Sequence, residues 1–420
     1  MPSTHTTPLV SSDAVVLGLL IGIIWLVFTL TRLQHPFWKR FFSIFPPILL
    51  CYFLPSVLQT TGIIQSQTSQ VYPIVSQYLL PVCLILFTLS VDFQSLKMLG
   101  PKALWVFLGG TFGVIVGGPL ALAVVKFFKP EAFLGTDADA TWRGLATIAG
   151  SWIGGGPNQT ALKEIFQPSA TLFSQTVTVD ILVAEAVLAV ILYAVGHRMA
   201  LDKWLQADTT LLDQVKERVK SLPSNHERRA TFYDYVQMLG VGFVGTALAH
   251  ATADFITPII QQDFPKLAEF SLTSRFFWII LVVTVVGILA SFTRLRLLEQ
   301  AGASTVGSFF LYLLIASIGM QMDLASVVNS PWLFVVGILW MVIHLLVIFL
   351  VARWVKAPFF FLAVGSQANI GGAASAPVVA AAFHPSLVTV GVLLAVLGYT
   401  IGTYGGYICA LLMQWVYQSF

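Results

Sequence analysis

The sequence predicts an all-α polytopic membrane protein with two inverted repeats of about five spans, each carrying a glycine-rich re-entrant hairpin or broken helix. Three observations support this fold class. Of the 420 residues, 57% are hydrophobic and only 10% are charged, whereas soluble domains carry about 25% charged residues. Ten apolar runs have roughly the 20 residues that cross a bilayer. A glycine-rich stretch in the first half also returns in the second.

The apolar runs form two sets of five with the same layout. In each set, four runs precede a glycine-rich stretch and the fifth follows it. We therefore place the first repeat at 1–196, a linker at 197–230 and the second repeat at 231–420. The ten runs are 14–31, 41–59, 73–91, 103–125, 172–196, 232–250, 275–292, 303–322, 332–352 and 386–415.

The two glycine-rich stretches, 150–169 and 365–386, share Ile-Gly-Gly and Phe-x-Pro-Ser at a common offset of 217 residues. Three glycines and a proline at 154–157 oppose a continuous helix, because each glycine costs about 1 kcal/mol and proline about 3 kcal/mol relative to alanine. Irregular backbone at membrane depth must be buried in protein or reach water. We predict hairpins over 141–169 and 358–385.

Other glycines keep helical spacing and indicate close helix packing instead. They lie in the runs Gly109-xxx-Gly113-xxx-Gly117 and Gly398-xxx-Gly402-xxx-Gly406. The same packing role is the alternative interpretation of the two broken stretches.

The distribution of Lys and Arg favours hairpins over discontinuous helices that cross the membrane, which stay the alternative. With hairpins, 16 of the 22 basic residues lie on the side of the linker, and with crossing helices 14 do. Cytoplasmic loops are the basic ones, so the linker 197–230 is expected in the cytoplasm. Hairpins would then put both termini outside, with the chain in the cell (inner) membrane. A short amphipathic helix is predicted within the linker, at 208–220.

A broken helix frees carbonyl groups for a cation and points N–H groups at an anion. We therefore expect the two hairpins to bind a solute and a coupling ion. The candidate binding residues are Ser151, Gly154, Gly155, Gly156, Asn158, Gln159, Thr160, Asp180, Glu185, Ser366, Gln367, Asn369, Gly371, Gly372 and Ser375.

Asp180 and Glu185 are candidates because they lie inside a span. A charged side chain at the bilayer centre costs about 2.5–3.5 kcal/mol on insertion scales and usually has a function. The two are about 140° apart around a helix, so they do not share one face. A protonated, inert Glu185 is the alternative. Asp92 and Asp323 end matching spans, where solvation of a helix end explains them without a function.

Several function classes have no support in the sequence. No basic stripe alternates with aromatic residues, so no nucleic-acid partner is expected. Cys51, Cys83 and Cys409 form no CxxC pair and the histidines show no ligand spacing, so no metal is expected beyond Na⁺. No P-loop, nucleophile elbow or HExxH occurs, so neither an enzyme nor a cofactor is expected.

A resemblance to a known family rests on four runs: GSWIGGGPN (150–158), SFFLYLLIASIGMQMDL (308–324), GSQANIGG (365–372) and LGYTIGTYGGY (397–407). They resemble the uncharacterised YjcL-like family of polytopic membrane proteins over nearly the whole chain. The layout is also similar, more distantly, to the sodium/glutamate and 2-hydroxycarboxylate symporters. That resemblance implies re-entrant loops in a moving transport domain and an elevator-type motion. One departure is that neither hairpin has Lys or Arg beside its glycines; Lys163 is the nearest base in the first.

These observations predict a secondary active transporter that moves a small organic acid or amino-acid-like solute by alternating access, driven by Na⁺ or H⁺. The expected partners are that solute, the lipid bilayer and a second copy of the chain in a homodimer. A channel or gated pore is one alternative, and a non-transporting sensor or structural component is another. Alanine at Asn158 or Asn369 is expected to weaken binding without unfolding the protein.

Overall fold

The computed structural model describes residues 10, 12–45, 47–64, 69–221, 228–321 and 331–419, and within these ranges it contains helices and no β-strand. A π-helical turn, Val75–Leu79, joins α4 to α5. The helices up to the linker are α1 Asp13–Arg32, α2 Pro36–Ile44, α3 Pro47–Thr60, α4 Val71–Ile74, α5 Leu80–Leu89, α6 Phe93–Met98, α7 Pro101–Phe128, α8 Thr141–Gly154, α9 Gly156–Phe166 and α10 Ala170–Val195. The later ones are α11 Arg198–Leu205, α12 Thr210–Ser221, α13 Phe232–Asp263, α14 Arg275–Ser291, α15 Ala303–Gly319, α16 Pro331–Trp354, α17 Phe359–Ile370, α18 Gly372–Phe383 and α19 Val388–Ser419.

Each of the ten predicted runs contains a helix within its described residues, and the all-α membrane fold is confirmed. In the described ranges, seven helices are long and apolar enough to cross a bilayer, or nine if two bent pairs each count as one span. The bent pairs are α2 with α3, at 88°, and α14 with the 3₁₀ helix Arg294–Ala301, at 92°. The remaining run forms α15, which has 17 residues. α13 continues to Asp263, well past the predicted end at residue 250.

Equivalent spans of the two halves run antiparallel, as inverted repeats require. In the fourth-span pair, α7 and α16, Gly109 lies against Val351 and Gly117 lies against Trp340. The small residues of α7 thus admit the side chains of α16, as their spacing predicts. The third-span pair, α5 and α15, is antiparallel in the same way.

The first glycine-rich stretch folds back on itself. α8 and α9 are antiparallel, and the base of this hairpin is closed by the backbone hydrogen bond from Ser169 N to Ala138 O, at 2.8 Å. Arg143 also donates to the Phe166 carbonyl at the base. Near the middle, a Cβ on Gly150 would lie 2.7 Å from the Asn158 carbonyl oxygen. Only a glycine permits the two arms to pack this closely.

The second stretch forms a matching hairpin from α17 and α18. At its base, the Phe383 ring lies 5.9 Å from that of Phe359 and 5.3 Å from that of Phe360. Both hairpins therefore enter and leave on one side, and neither crosses the molecule.

The two hairpins enter from opposite sides. α19 begins beside the base of the second hairpin, and its far end reaches the loop before the first, where the Tyr417 hydroxyl donates to the Phe133 and Gly135 carbonyls. A helix of 32 residues is about 48 Å long. The bases of the hairpins thus lie at opposite ends of α19, and their tips meet near its middle.

The helices pack as two groups. The hairpin group consists of α7–α10 and α16–α19, which surround the two hairpins. The outer group consists of α1, α3–α5 and α13–α15, the first three spans of each half. The groups meet where α5 lies against α9 and α19, and where α14 lies against α9.

The linker is attached to the base of the second hairpin. The predicted amphipathic helix is present as α12, and α11 precedes it without having been predicted. The Asp202 carboxylate accepts from the Phe359 N–H at 2.7 Å, and the Asp208 N–H donates to the Lys356 carbonyl at 3.1 Å. The linker and this base therefore lie on the same side of the membrane.

The predicted orientation is testable with single cysteines, because Cys51, Cys83 and Cys409 are all buried. Lys203 on α11 and Lys266 in the loop after α13 are both exposed. We expect a membrane-impermeant maleimide added to intact cells to label Lys266→Cys and not Lys203→Cys. Inside-out vesicles should reverse the pattern, and labelling of Lys203→Cys in intact cells would contradict the predicted topology.

Candidate functional site

The first hairpin breaks at Gly155, whose φ of +77° is a conformation that L-residues with side chains avoid. The Gly155 N–H ends α8 by donating to the Ser151 carbonyl at 2.8 Å. Pro157 then lies in the first turn of α9, where a missing N–H removes no hydrogen bond. Pro157 would disrupt a continuous helix, but in the first turn of α9 it costs little free energy.

The second hairpin breaks at Gly371 and Gly372, and Gly372 has a φ of +56°. The Gly371 N–H ends α17 by donating to the Gln367 carbonyl at 3.0 Å. At the 217-residue offset Gly155 corresponds to Gly372, and both have a positive φ. The glycine whose N–H ends the first helix is Gly155 in one hairpin and Gly371, one position earlier in the repeat, in the other.

Glycines of α19 let both breaks approach that helix. A Cβ on Gly402 would lie 2.6 Å from the Gly154 Cα. A Cβ on Gly398 would lie 3.1 Å from both the Ile153 and the Ala368 carbonyl oxygens, so this position faces both hairpins. The helix-spaced glycines of α19 therefore act in packing, as predicted, and the elements they pack are the hairpin tips.

Tyr399 lies between the two breaks and contacts both. Its ring is 3.3 Å from the position of a Cβ on Gly155, and its hydroxyl is 3.4 Å from that of a Cβ on Gly372. The Ala373 N–H, in the first turn of α18, donates to the Tyr399 hydroxyl at 3.3 Å. The ring also lies 4.5 Å from the Phe87 ring of α5 in the outer group. The two uncoiled segments are thus neighbours, separated by one side chain.

Asn158 fixes the first tip to α19. Its Nδ2 donates to the Gly154 carbonyl at 2.6 Å, and its Oδ1 accepts from the Thr403 hydroxyl at 2.5 Å. Thr160, one turn into α9, returns its hydroxyl to the Gly156 carbonyl at 3.1 Å. These bonds satisfy polar groups that lipid cannot satisfy.

Asp180 is held in a buried network of uncharged donors. Trp152 Nε1 donates to Oδ1 at 2.6 Å, and Gln159 Nε2 donates to Oδ2 at 2.7 Å. The Gln159 Oε1 in turn accepts from the Tyr52 hydroxyl of α3 at 3.2 Å. The chain Tyr52–Gln159–Asp180 therefore crosses from the outer group into the hairpin group.

In the second hairpin, Asn369 and Ser366 bond to the fourth-span pair. Asn369 Oδ1 accepts from the Thr111 hydroxyl at 2.7 Å, and its Nδ2 donates to the Gly365 and Phe107 carbonyls. Ser366 Oγ lies 2.9 Å from His344 Nε2, while His344 Nδ1 lies 3.0 Å from the Gly110 carbonyl. A carbonyl only accepts, so Nδ1 carries the hydrogen and Nε2 accepts from Ser366.

Gln367 and Ser375 lie on either side of the second break. The Ser375 hydroxyl donates to the Gln367 carbonyl at 3.3 Å. The Gln367 side chain is 1% exposed, and its Nε2 has no hydrogen-bond partner in the described part of the chain. This amide nitrogen differs from those of Asn158, Gln159 and Asn369, each of which donates a hydrogen bond.

Glu185 is not brought into the site. It is half-buried on α10, whereas Asp180 is 4% exposed. In the described part of the chain, Glu185 makes no hydrogen bond to the hairpins, in agreement with the different helix faces expected from the spacing. Asp92 begins α6 by accepting from Ser95 and also pairs with Arg296 at 2.9 Å, a structural role at a helix end. Asp323 lies outside the described residues.

A second charged cluster lies at the base of the first hairpin, away from the tips. Lys163 and Glu164 both bond to the Tyr72 hydroxyl of α4, and Lys163 lies 3.5 Å from Glu164. Lys163 is therefore paired and does not reach the glycine breaks. In the described ranges, no group of three His, Cys, Asp or Glu side chains is placed to hold a metal ion.

Several residues at the site were not predicted: Tyr52, Thr111, Trp152, Tyr399 and Thr403. Tyr399 and Thr403 lie in the glycine-spaced run of α19, so a hydroxyl-bearing residue between close-packed glycines was the available signal. The residues around Tyr52 and Thr111 do not distinguish them from other polar residues in apolar spans, so no signal in the sequence indicates their role at the site.

Comparison with known proteins identifies a family whose model matches most of this chain. The family model described as "Protein of unknown function (DUF819)" matches residues 18–416. A relative from Bacillus subtilis (strain 168), "Uncharacterized membrane protein YjcL", is 24% identical over 349 residues, which cover 80% of this chain and 82% of the relative. The predicted resemblance to a YjcL-like membrane family is confirmed.

Gly402→Ala tests the close approach of the first tip to α19. Its added methyl group would meet the Gly154 Cα at 2.6 Å, and such overpacking costs about 1–3 kcal/mol. We expect a lower thermal unfolding midpoint in detergent. The matched control is Gly240→Ala on α13, which meets nothing within 4 Å and should raise the midpoint through helix propensity. A midpoint unchanged in Gly402→Ala would contradict this packing.

Asp180→Asn tests the buried carboxylate. The new amide nitrogen would face Trp152 or Gln159, both of which already donate, and a buried unpaired donor costs about 1–3 kcal/mol. We expect a clear drop in the thermal midpoint, measured by the intrinsic fluorescence of the purified protein. Glu185→Gln serves as the control and should change it little. Equal effects of the two substitutions would show that the network does not hold Asp180.

Proposed function

Since the chain belongs to the DUF819 family of unknown function, we propose from its own geometry that it is a secondary active transporter. Its cargo would be a small organic acid or amino-acid-like solute, moved by alternating access and coupled to Na⁺ or H⁺. The chain has no enzymatic role in this proposal.

One observation carries the proposal. Two hairpins enter from opposite sides, and their uncoiled tips lie on either side of Tyr399, near the middle of the longest helix of the hairpin group. In transporters, solute and coupling ion bind near the bilayer midplane at broken helices from inverted repeats. A purely structural helix pair would not need two glycine breaks beside one another.

The division into two groups supports an alternating-access motion. The hairpin group holds both tips, while the outer group presents α5, α14 and α15 to them. A movement of the hairpin group along these helices would expose the tips first to one side and then to the other. Tyr399 now covers both breaks, which favours a carrier over a continuously open pore.

Asp180 is the group that we propose for coupling. It is a buried carboxylate bonded directly to a hairpin, and the chain Tyr52–Gln159–Asp180 joins it to the outer group. Neutralisation of Asp180 by H⁺ or Na⁺ would weaken its hold on the Gln159 amide. The ion would thereby change the attachment between the two groups.

A sensor is the second candidate, because the linker is docked on the base of the second hairpin. Asp202 bonds to the start of α17, and Arg353 donates to the Trp204 carbonyl. A change at the tip could therefore reach α11 through α17.

For the membrane arrangement, we propose the cell (inner) membrane with both termini outside and the linker in the cytoplasm. We also propose a homodimer through the outer group. The observation behind it is that α1 and α13 are mostly uncovered within one chain, since 22% and 28% of the residues in their apolar stretches are buried. Lipid would cover the rest.

Transport is tested with the purified protein in liposomes. We expect saturable accumulation of at least one labelled organic acid, with one or two carboxylates, or amino acid above its external concentration under an inward Na⁺ or H⁺ gradient. An ionophore that collapses the driving gradient should abolish accumulation, and Gly240→Ala should retain it. Flux without accumulation or counterflow would indicate a channel. No flux, with loss of cellular function only when 197–230 is deleted, would indicate a sensor.

A further inference from the structure

Among the side-chain amides of the two tips, all in the described part of the chain, only Gln367 has a nitrogen without a hydrogen-bond partner. Asn158, Gln159 and Asn369 each have their amide nitrogen hydrogen-bonded. Gln367 is 1% exposed, and its Nε2 is one of three buried side-chain atoms without a partner in the described residues. An unpaired buried donor destabilises a fold. Because the other side-chain amides at the tips are paired, the unpaired Gln367 nitrogen suggests that a ligand supplies its acceptor.

The unpaired amide lies over the second break. Its Oε1 is 3.4 Å from the position of a Cβ on Gly371, which immediately precedes α18. α18 has 12 residues, and its first N–H groups have no partner within the helix. They carry the positive end of the helix dipole. The Gln367 amide and the N-terminus of α18 thus lie together at the second break.

Tyr399 adds a third donor. Its oxygen already accepts from the Ala373 N–H, and its own hydroxyl hydrogen has no acceptor among the described residues. No Lys or Arg of the described chain is hydrogen-bonded to either break, and Asp180 of α10 bonds to the first hairpin rather than the second. Several hydrogen-bond donors without a charged side chain can bind the oxygen atoms of an anionic ligand.

We propose that one carboxylate group of a small solute binds at the N-terminus of α18, where Gln367 Nε2, the Tyr399 hydroxyl and first-turn N–H groups donate to it. This inference rests on the proposed function and narrows its substrate to monocarboxylates, amino acids included. Carboxylates bind at helix N-termini without a side-chain cation. A dicarboxylate would need a second clamp of the kind that Arg supplies, and the tips hold none.

The test compares probes that differ in one group, using the thermal midpoint of the full-length purified protein. The monocarboxylates are acetate, propionate, lactate, pyruvate and alanine, and each is paired with its amide; succinate is the dicarboxylate. We expect at least one monocarboxylate to raise the midpoint, and its amide and succinate to raise it much less. A panel without effect, or equal shifts by an acid and its amide, would overturn the assignment.

Gln367→Leu then tests the residue with the monocarboxylate that binds wild type. Loss of a hydrogen bond to a charged group weakens binding by about 10- to 100-fold, so the shift should nearly vanish. Without probe, the midpoint should hold or rise, because an unpaired donor has been removed. Gln159→Leu, which breaks paired contacts to Asp180 and Tyr52, should instead lower it. Gln237→Leu, at an exposed hydrogen bond on α13, should keep the full shift.

The results separate this inference from the proposed function. If wild type and Gln367→Leu are stabilised equally by the same acid, the assignment of Gln367 is wrong while transport still stands. If wild-type liposomes move no solute under either gradient, transport itself is wrong. Should Gln367→Leu fail to fold, Gln367→Glu keeps the size and replaces the donor with an acceptor. It should lose the shift, and an intact shift would overturn the proposal.

Discussion

The whole structure depends on how uncoiled main chain is kept away from lipid. The breaks at Gly155 and Gly371–Gly372 leave backbone groups without helical partners, and hydrocarbon offers none. The solution is close packing against α19, whose Gly398 and Gly402 let the tips come within contact of its backbone. Asn158 and Thr403 then supply polar partners at that contact. The uncoiled tips therefore depend on α19 to keep their backbone away from lipid at that depth.

The two repeats share a break and differ in the chemistry around it. At the common offset, Trp152 corresponds to Asn369 and Asn158 corresponds to Ser375. The first hairpin uses its polar groups to bind an acid, Asp180, and to reach the outer group. The second bonds to the fourth-span pair and leaves the Gln367 amide open. The two hairpins thus differ in their polar contacts, and the proposed binding of ion and solute by different repeats would account for this difference.

Much of this arrangement follows from local patterns. Apolar length predicted where the helices lie, and the repeated glycines predicted both breaks, because backbone cost depends on neighbouring residues only. The linker helix was predicted for the same reason. The 88° bend between α2 and α3 and the 17-residue length of α15 were not predicted. Side-chain partners were not predictable: the bond between Gln159 and Tyr52 joins residues 107 apart in sequence, and no short-range signal encodes it. The unpaired amide of Gln367 was likewise not predictable. Whether a buried amide has a partner depends on the folded site, and the residues next to Gln367 in the sequence do not reveal it.

Tyr399 has one more consequence. Because a single ring covers Gly155 on one edge and Gly372 at its hydroxyl, a change of its rotamer uncovers both half-sites together and neither one separately. The ring is restrained by Phe87, which belongs to the other group of helices. In the proposed motion, sliding of the hairpin group past the outer group would remove that restraint. The position of the hairpin group would then decide when the Tyr399 ring is free to turn.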